Sequence, residues 1–345
     1  MVPPLVCPPD GLPPLGVDRG RNHLDTIAGV ILGGTLAVLI VRAGGNALAF
    51  DLLFLAGWLV ATALHEFGHA TAAYARGFRV ISIVIGPVSV TRSNRKGFRL
   101  RVRPALFGGW VLSAPRRWDG DQRYLRDKTW VIAAGPAVSL VAGVVGLLLS
   151  RPWTLLWQWS VISLVIGVVT LIPMRYRKGR SSDGDKLQRL REAEPADLAL
   201  MALHTLLFAM RPRDWDPALV DVARAESESG GSGAIDGTLF LYFHVLDSGD
   251  PVGAGALLQR LIDYTCGTAR WPRTTVSREV ALEASLFEAV WRGDEEAARE
   301  WLARAPFDKK RESVPSLASM LAKLGRSDEI CYSATLERLS SSSSG

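Results

Sequence analysis

The stretch ALAFDLLFLAGWLVATALHEFGHATAAYA, residues 47–75, is apolar along most of its length but has two histidines and a glutamate near its end. It is longer than the roughly 20 residues that span the core of a bilayer. Ionisable groups inside a membrane span are costly and by default mark a functional site. The stretch therefore predicts a membrane helix that carries reactive groups, His65, Glu66 and His69, near one end.

The spacing of these three residues predicts a metal site. Residues four apart lie on one face of a helix, so His65 and His69 can hold the same ion. Glu66 lies beside them, within reach of a metal-bound water that it would deprotonate. His-Glu-x-x-His is the signature of zinc hydrolases, with the glutamate as general base. The alternative is a group of polar residues at a helix end that face a loop, which the apolar surroundings disfavour.

Three further apolar blocks cover residues 24–44, 130–150 and 153–174. Each reaches about the 20 residues needed for a span, and tryptophans lie near their ends, as interface anchors do. Hydrophobic residues make up 48% of the chain although it holds 40 lysines and arginines, so the apolar residues are concentrated in blocks. Four membrane helices are expected; the alternative is buried helices of a large soluble fold.

Basic residues predict the orientation of these spans. The 76–128 loop carries thirteen lysines and arginines, whereas the loop between the first two blocks carries none. The positive-inside rule places the 76–128 loop in the cytoplasm, and four spans then place both termini there too. The net charge of +6 fits a face that touches anionic lipid. Nucleic-acid binding is not expected, because no basic platform interleaved with aromatic residues is present.

The 76–128 loop also has a strand pattern. Residues 78–91 and 97–103 alternate apolar and polar side chains, and SNRKG between them is typical turn chemistry. The pattern predicts a β-hairpin followed by a bend at Gly108 and Gly109.

Outside the apolar blocks, three segments have a different character. Residues 1–23 are proline-rich without the pattern of a signal peptide, and residues 340–345 are serine-rich; both are expected to be disordered. Residues 191–339 read as short amphipathic helices broken by Gly, Pro and Asp. They weakly resemble tetratricopeptide repeats, and a plain helical bundle is the alternative. The cysteines are too few for a disulfide framework: Cys7, Cys266 and Cys331.

Across residues 24–190, the motifs together resemble the site-2 protease family of intramembrane zinc metalloproteases. That family carries His-Glu-x-x-His on a transmembrane helix and a later Asp-Gly motif, which this chain has in TLIPMRYRKGRSSDG. The resemblance implies that Asp183 completes a Zn²⁺ site with His65 and His69, with Glu66 as the base. FGGWV, residues 107–111, looks like the Gly-Gly loop of the family, and AAGPAVSLVAG, residues 133–143, looks like its Ala-Gly-Pro span.

Several positions depart from the family pattern. Thr170 and Ser139 stand where the family usually has asparagine, and the step from Pro173 to Asp183 is longer than usual and basic. By the resemblance, residues that contact substrate are Gly108, Gly109 and Thr170. Asp185, two residues after Asp183, is the alternative third ligand.

The expected fold is a membrane α-helical domain, 24–190, with four transmembrane helices and an inserted membrane-associated β-hairpin. A soluble all-α, repeat-like region, 191–339, follows it. The resemblance implies a multi-pass metalloendopeptidase of a bacterial plasma membrane that cuts membrane-protein substrates in or near their transmembrane segments. The helical region is expected to bind a protein partner. The alternative function is a catalytically weak membrane scaffold that keeps the fold and binds partners through that region.

Overall fold

A computed structural model describes residues 2–6, 47–93, 97–102, 108–152, 154–175, 181–231, 233–267 and 276–304. The first apolar block, 24–44, and the tail, 340–345, lie outside the described residues. The chain divides between Glu194 and Pro195 into two compact units. We call residues 47–194 the site unit, and residues 195–304 with residues 2–6 the helical unit. The domain bounds expected from the sequence stay predictions.

In its described residues, the site unit has four helices and four strands. Helix α1 has the bounds expected from the sequence, whereas α2 begins nine residues before the third apolar block. Hydropathy marks only the apolar part of that helix, and its first turns are polar and charged. In chain order the elements are α1 (Ala47–Ala75), β1 (Phe78–Ile85), β2 (Val88–Ser93), β3 (Gly97–Val102), β4 (Gly109–Pro115), α2 (Asp121–Leu149), α3 (Leu155–Leu171) and α4 (Asp183–Glu192).

Glycines let α1, α2 and α3 pack closely against one another. A Cβ on Gly68 of α1 would lie 2.7 Å from the carbonyl oxygen of Ala134 in α2. A Cβ on Gly143 of α2 would lie 2.9 Å from the carbonyl oxygen of Ser160 in α3. Small residues of this kind allow close backbone approach between helices in membranes. The close approach brings side chains of α2 to the histidines of α1.

One of the described helices, α2, is both long and apolar enough to cross a membrane, with a mean hydropathy of 2.2 over 18 residues. Helix α3 is apolar but shorter, at 17 residues. The chain is thus mostly helical with a small antiparallel sheet and one candidate span among the described residues. The four transmembrane helices stay a prediction.

The sheet differs from the predicted hairpin. Its strand order is β3-β2-β1-β4, and the stretch expected as one strand, 78–91, is itself a hairpin that turns at Gly86 and Pro87. Gly86 has a φ of +50°, which side chains other than glycine rarely adopt. The fourth strand was not expected: β4 pairs with β1 along its length, and Gly109 lies opposite Ile85. The bend expected at Gly108 and Gly109 is therefore the start of β4.

The helical unit is built from short helices, as its sequence predicts. Neighbouring helices pack against one another around large side chains with almost no exposed surface, including Phe240, Tyr242 and Phe287. Residues 2–6, part of the arm predicted to be disordered, also lie against this unit. Its helices are α5 (Pro195–Leu206), α6 (Pro217–Ser229), α7 (Ala234–Asp247), α8 (Pro251–Gly267), α9 (Val276–Phe287) and α10 (Glu295–Arg304), with a π-helical turn at Glu288–Arg292.

Candidate metal centre

Two histidines of α1 and the first residue of α4 converge on one point. Asp183 Oδ2 lies 3.0 Å from His65 Nε2 and 3.2 Å from His69 Nε2, and the two Nε2 atoms are 3.2 Å apart. All three residues are buried, with 4–7% of their surface exposed. The sequence separation is 4 residues within α1 and 114 from His69 to Asp183, so the fold, not local sequence, assembles the group.

Contacts behind the imidazoles fix how each ring is turned. His69 Nδ1 lies 2.8 Å from the carbonyl oxygen of Val131, which can only accept, so Nδ1 carries the hydrogen and donates. In the neutral ring Nε2 then presents its lone pair to the convergence point. His65 Nδ1 likewise meets Ser139 Oγ at 2.9 Å. Such hydrogen bonds to the far nitrogen are the usual support of metal-binding histidines.

The donor set fits a zinc ion. Two unprotonated imidazole nitrogens and a carboxylate oxygen at these separations would repel one another unless a cation or a proton lay among them. Ligand atoms at 2.0–2.1 Å from a tetrahedral zinc lie about 3.3 Å from one another, close to the 3.0–3.2 Å separations of these atoms. Nitrogen and carboxylate donors from three residues are also the usual set of a catalytic zinc site. His65, His69 and Asp183 form a group that could hold a metal ion.

The loop before α4 fixes Asp183 by capping the helix. Ser182 Oγ accepts from the amides of Met174 at 2.9 Å and Asp185 at 3.2 Å, and it donates to the carbonyl of Ile172 at 2.6 Å. A Cβ on Gly184 would overlap the backbone carbonyl of Leu171, so only glycine allows this approach. The Asp-Gly pair therefore holds α4 against the end of α3.

Asp183 is ionised in this setting. Burial alone would raise the pKa of its carboxyl, but hydrogen bonds donated by the two imidazoles and the nearby Lys186 ammonium hold that pKa below its usual range. A cation bound in place of the imidazole hydrogens would favour the carboxylate in the same way. Lys186 Nζ lies 2.9 Å from Asp183 Oδ1, the oxygen that does not face the histidines. The lysine thus leaves Oδ2 available to bind a metal ion.

The alternative third ligand, Asp185, lies apart from the cluster. Its carboxylate pairs with Arg175 Nε at 2.9 Å and with Arg189 Nε at 2.8 Å. The structure therefore brings Asp183, and not Asp185, to the two imidazoles.

Glu66 is buried beside the cluster, with 4% of its surface exposed. Within the described part of the chain, its Oε2 has no hydrogen-bond partner. A buried carboxylate oxygen without a partner is costly in a structural role, so its place next to the histidines points to chemistry. Gly109 comes close to it, since a Cβ on Gly109 would lie 2.5 Å from Glu66 Oε1. Gly108 has a φ of +88°, and no atom of the described residues lies within 4 Å of the position of its Cβ.

The remaining candidates behave differently. The Thr170 hydroxyl donates to carbonyls of its own helix, Ile166 at 2.9 Å and Gly167 at 3.3 Å, and no described contact joins it to the cluster.

Ser139, noted in the sequence only as a departure from the family, orients His65. The Val131 carbonyl was also missed, because a backbone acceptor leaves no signal in the sequence. The contact of Lys186 with Asp183 was not predicted either, although residues at i and i+3 of a helix are neighbours on its surface.

Two glycines of the site should tolerate alanine differently, because each lies against a different functional group. A Cβ on Gly135 would overlap the His69 imidazole, whereas one on Gly109 would reach the Glu66 carboxylate. We expect Gly135→Ala to lower zinc content and Gly109→Ala to keep zinc while lowering cleavage of substrate. Metal analysis and cleavage assays on both purified variants check this. Full zinc content in Gly135→Ala would contradict the close packing of Gly135 against His69.

Comparison with known proteins identifies the family. The model of peptidase family M50 matches residues 53–299, which includes most of α1, the sheet, α2, α3, α4 and most of the helical unit. No significant match was found among curated proteins or solved structures. The comparisons give no support to the resemblance to tetratricopeptide repeats. The family match covers more than two thirds of the chain and agrees with the geometry of the His65, His69 and Asp183 group, so the chain belongs to peptidase family M50, the site-2 protease family of membrane-embedded metallopeptidases.

Proposed function

We propose that this chain is an intramembrane zinc endopeptidase that cuts membrane proteins in or beside their transmembrane segments. The observation that carries the proposal is the convergence of two imidazoles and a carboxylate beside the buried, unpartnered Oε2 of Glu66. Zinc dependence and membrane-protein substrates are properties of the family to which the chain belongs.

The ligands and the base have separate roles in this proposal. His65 and His69 would hold Zn²⁺ through Nε2, and Asp183 through Oδ2. When bound, zinc polarises the scissile carbonyl and lowers the pKa of a coordinated water to about 7. Val131, Ser139 and Lys186 hold the three ligands in place through their hydrogen bonds to His69, His65 and Asp183.

Glu66 moves the protons. Its carboxylate takes a proton from the attacking water as the new C–O bond forms. The same group then gives that proton to the leaving nitrogen as the C–N bond breaks, so the glutamate ends the cycle ionised. Its free Oε2 supports this role, because no hydrogen bond within the described residues competes for the incoming proton.

The edge of the sheet offers a place for the substrate. A helical segment hides its amides within its own hydrogen bonds and has to unwind before a peptide bond can be cut. Within the described sheet, β4 pairs only with β1, so its other edge is free, and its first residue, Gly109, lies against Glu66. An unwound segment added to this edge as a strand would be held through its main chain beside the base.

Chelation tests the proposed chemistry. We expect purified protein in detergent to contain about one zinc per chain and to lose cleavage of transmembrane reporter peptides when 1,10-phenanthroline removes the metal. Added Zn²⁺ should restore cleavage, because the ligands are ordered by contacts within the protein. A non-chelating phenanthroline isomer serves as the control. Protein that folds without binding zinc would instead favour the membrane scaffold.

The proposed orientation places the basic loop, 76–128, and both termini on the cytoplasmic side of a bacterial plasma membrane. We expect reporter fusions at Lys96 and after Lys186 to read cytoplasmic and a fusion at Gly45 to read external, because the first two positions lie among the basic residues. An external reading at Lys96 would overturn this orientation.

A further inference from the structure

Residues 2–6, Val-Pro-Pro-Leu-Val, are held against the helical unit through their main chain. The Leu5 amide donates to Glu288 Oε1 at 2.9 Å. The Val6 amide donates to Gln259 Oε1 at 2.7 Å, and Gln259 Nε2 donates back to the Val6 carbonyl at 3.1 Å. One glutamine side chain therefore satisfies both main-chain groups of one residue.

The burial of this segment has a period of three. Val2 and Leu5 are half-buried, whereas Pro3, Pro4 and Val6 are exposed. A polyproline II helix has three residues per turn, so residues three apart share a face. Val2 and Leu5 therefore form the face turned to the unit, and Val2 Cγ1 lies 3.6 Å from the position of a Cβ on Gly255.

The groups that receive the segment are fixed by contacts of their own. Glu288 has none of its surface exposed, and its second oxygen accepts from Arg292 at 2.6 Å. The Gln259 amide also donates to Asp263 Oδ1 at 2.9 Å, which orients it. Groups ordered in this way add little entropic cost when an extended segment binds.

The same chain contains the pattern a second time. Residues 2–6 read apolar-Pro-Pro-apolar-x, and so do Leu12, Pro13, Pro14, Leu15 and Gly16. Those five lie outside the described residues, so the likeness is one of sequence alone.

We propose that the helical unit is a receptor for proline-rich segments of the pattern apolar-Pro-Pro-apolar-x, and that residues 2–6 occupy it in cis. A protein partner with such a segment competes with them for Gln259 and Glu288. The fourth and fifth positions of the ligand cannot be proline, because both donate a main-chain hydrogen. The prolines before them pre-form the polyproline II helix and so lower the cost of ordering the ligand.

The test uses the full chain in detergent micelles and a fluorescein-labelled peptide of sequence VPPLV. Replacing both Leu5 and Val6 by proline removes the two donors of the internal segment. The peptide should then bind about fivefold or more tightly than it binds to wild type, because each hydrogen bond typically contributes a factor of about 2 to 13. A VPPPP peptide, which lacks both donors, should bind to the double-proline chain at least about fivefold more weakly than VPPLV does.

Gln259→Leu in the double-proline background should weaken VPPLV binding by a similar factor, whereas Gln188→Leu, an exposed glutamine of α4, should leave it unchanged. A second measurement does not depend on the peptide: Val2→Cys with Gly255→Cys should form a disulfide in a Cys7→Ala background, and either cysteine alone should not. Equal binding of the two peptides, equal affinity for wild type and the double-proline chain, or no disulfide would overturn the proposal.

Discussion

Replacing Glu66 by glutamine is expected to abolish peptide-bond cleavage while leaving zinc content, folding and membrane insertion unchanged. Glutamine has nearly the same size as glutamate but cannot accept the proton of the attacking water. General base catalysis typically contributes about 100- to 10,000-fold, so the loss should be at least about 100-fold. The metal should remain, because the proposed ligands are His65, His69 and Asp183 and do not include Glu66.

The measurement is a comparison of membrane proteomes from cells that express the wild type or the Glu66→Gln variant. Membrane-anchored proteins that accumulate intact only with the variant are substrate candidates, and each can be tested with the purified enzyme. Glu192→Gln is the matched control, since Glu192 is an exposed glutamate of α4 away from the cluster. Normal cleavage by a folded, zinc-loaded Glu66→Gln variant would exclude the proposed role of Glu66.

The sequence predicted which residues the candidate site brings together, because their signals are local or belong to a motif. His65, Glu66 and His69 lie within five residues, and the apolar stretch around them made a structural role costly. Asp183 came only from the resemblance, since nothing in its own surroundings indicates a contact 114 residues away. Ser139 shows the limit of a motif: the sequence marked it only as a departure from asparagine, yet its hydroxyl lies against His65 Nδ1.

The sheet was harder to predict because strand pairing is not local. The alternation of 78–91 continues through Gly86 and Pro87 and so hides the turn, although a Gly-Pro pair is a turn signal in its own right. Along the chain, β2 and β3 lie between β1 and β4, although β4 pairs with β1 in the sheet. The partner of β4 therefore cannot be predicted from the sequence next to it. The helix bounds were better predicted, except where α2 continues into polar residues, since hydropathy detects only apolar length.

Replacing Asp183 by asparagine should remove zinc and cleavage, whereas replacing Asp185 by asparagine should keep both, although the two residues lie in the same helix turn. Asp183→Asn removes the charge from an oxygen that faces both imidazoles at 3.0 and 3.2 Å. A neutral amide oxygen is a weaker zinc ligand than a carboxylate. The affinity for zinc should therefore fall by more than the roughly 10- to 100-fold that loss of a supporting hydrogen bond costs, and cleavage should fall with it.

Asp185→Asn should leave zinc content and cleavage close to those of the wild type. Its carboxylate pairs with Arg175 and Arg189 rather than with the cluster, and the Ser182 cap binds its main-chain amide, which the substitution keeps. The partly exposed arginines remain hydrated when their partner is neutralised, so the cost in stability is small. Metal analysis of the two purified variants, with thermal unfolding to confirm folding, decides between the carboxylates. Loss of zinc in Asp185→Asn with retention in Asp183→Asn would mean that the Asp-Gly motif supplies its ligand from the other aspartate.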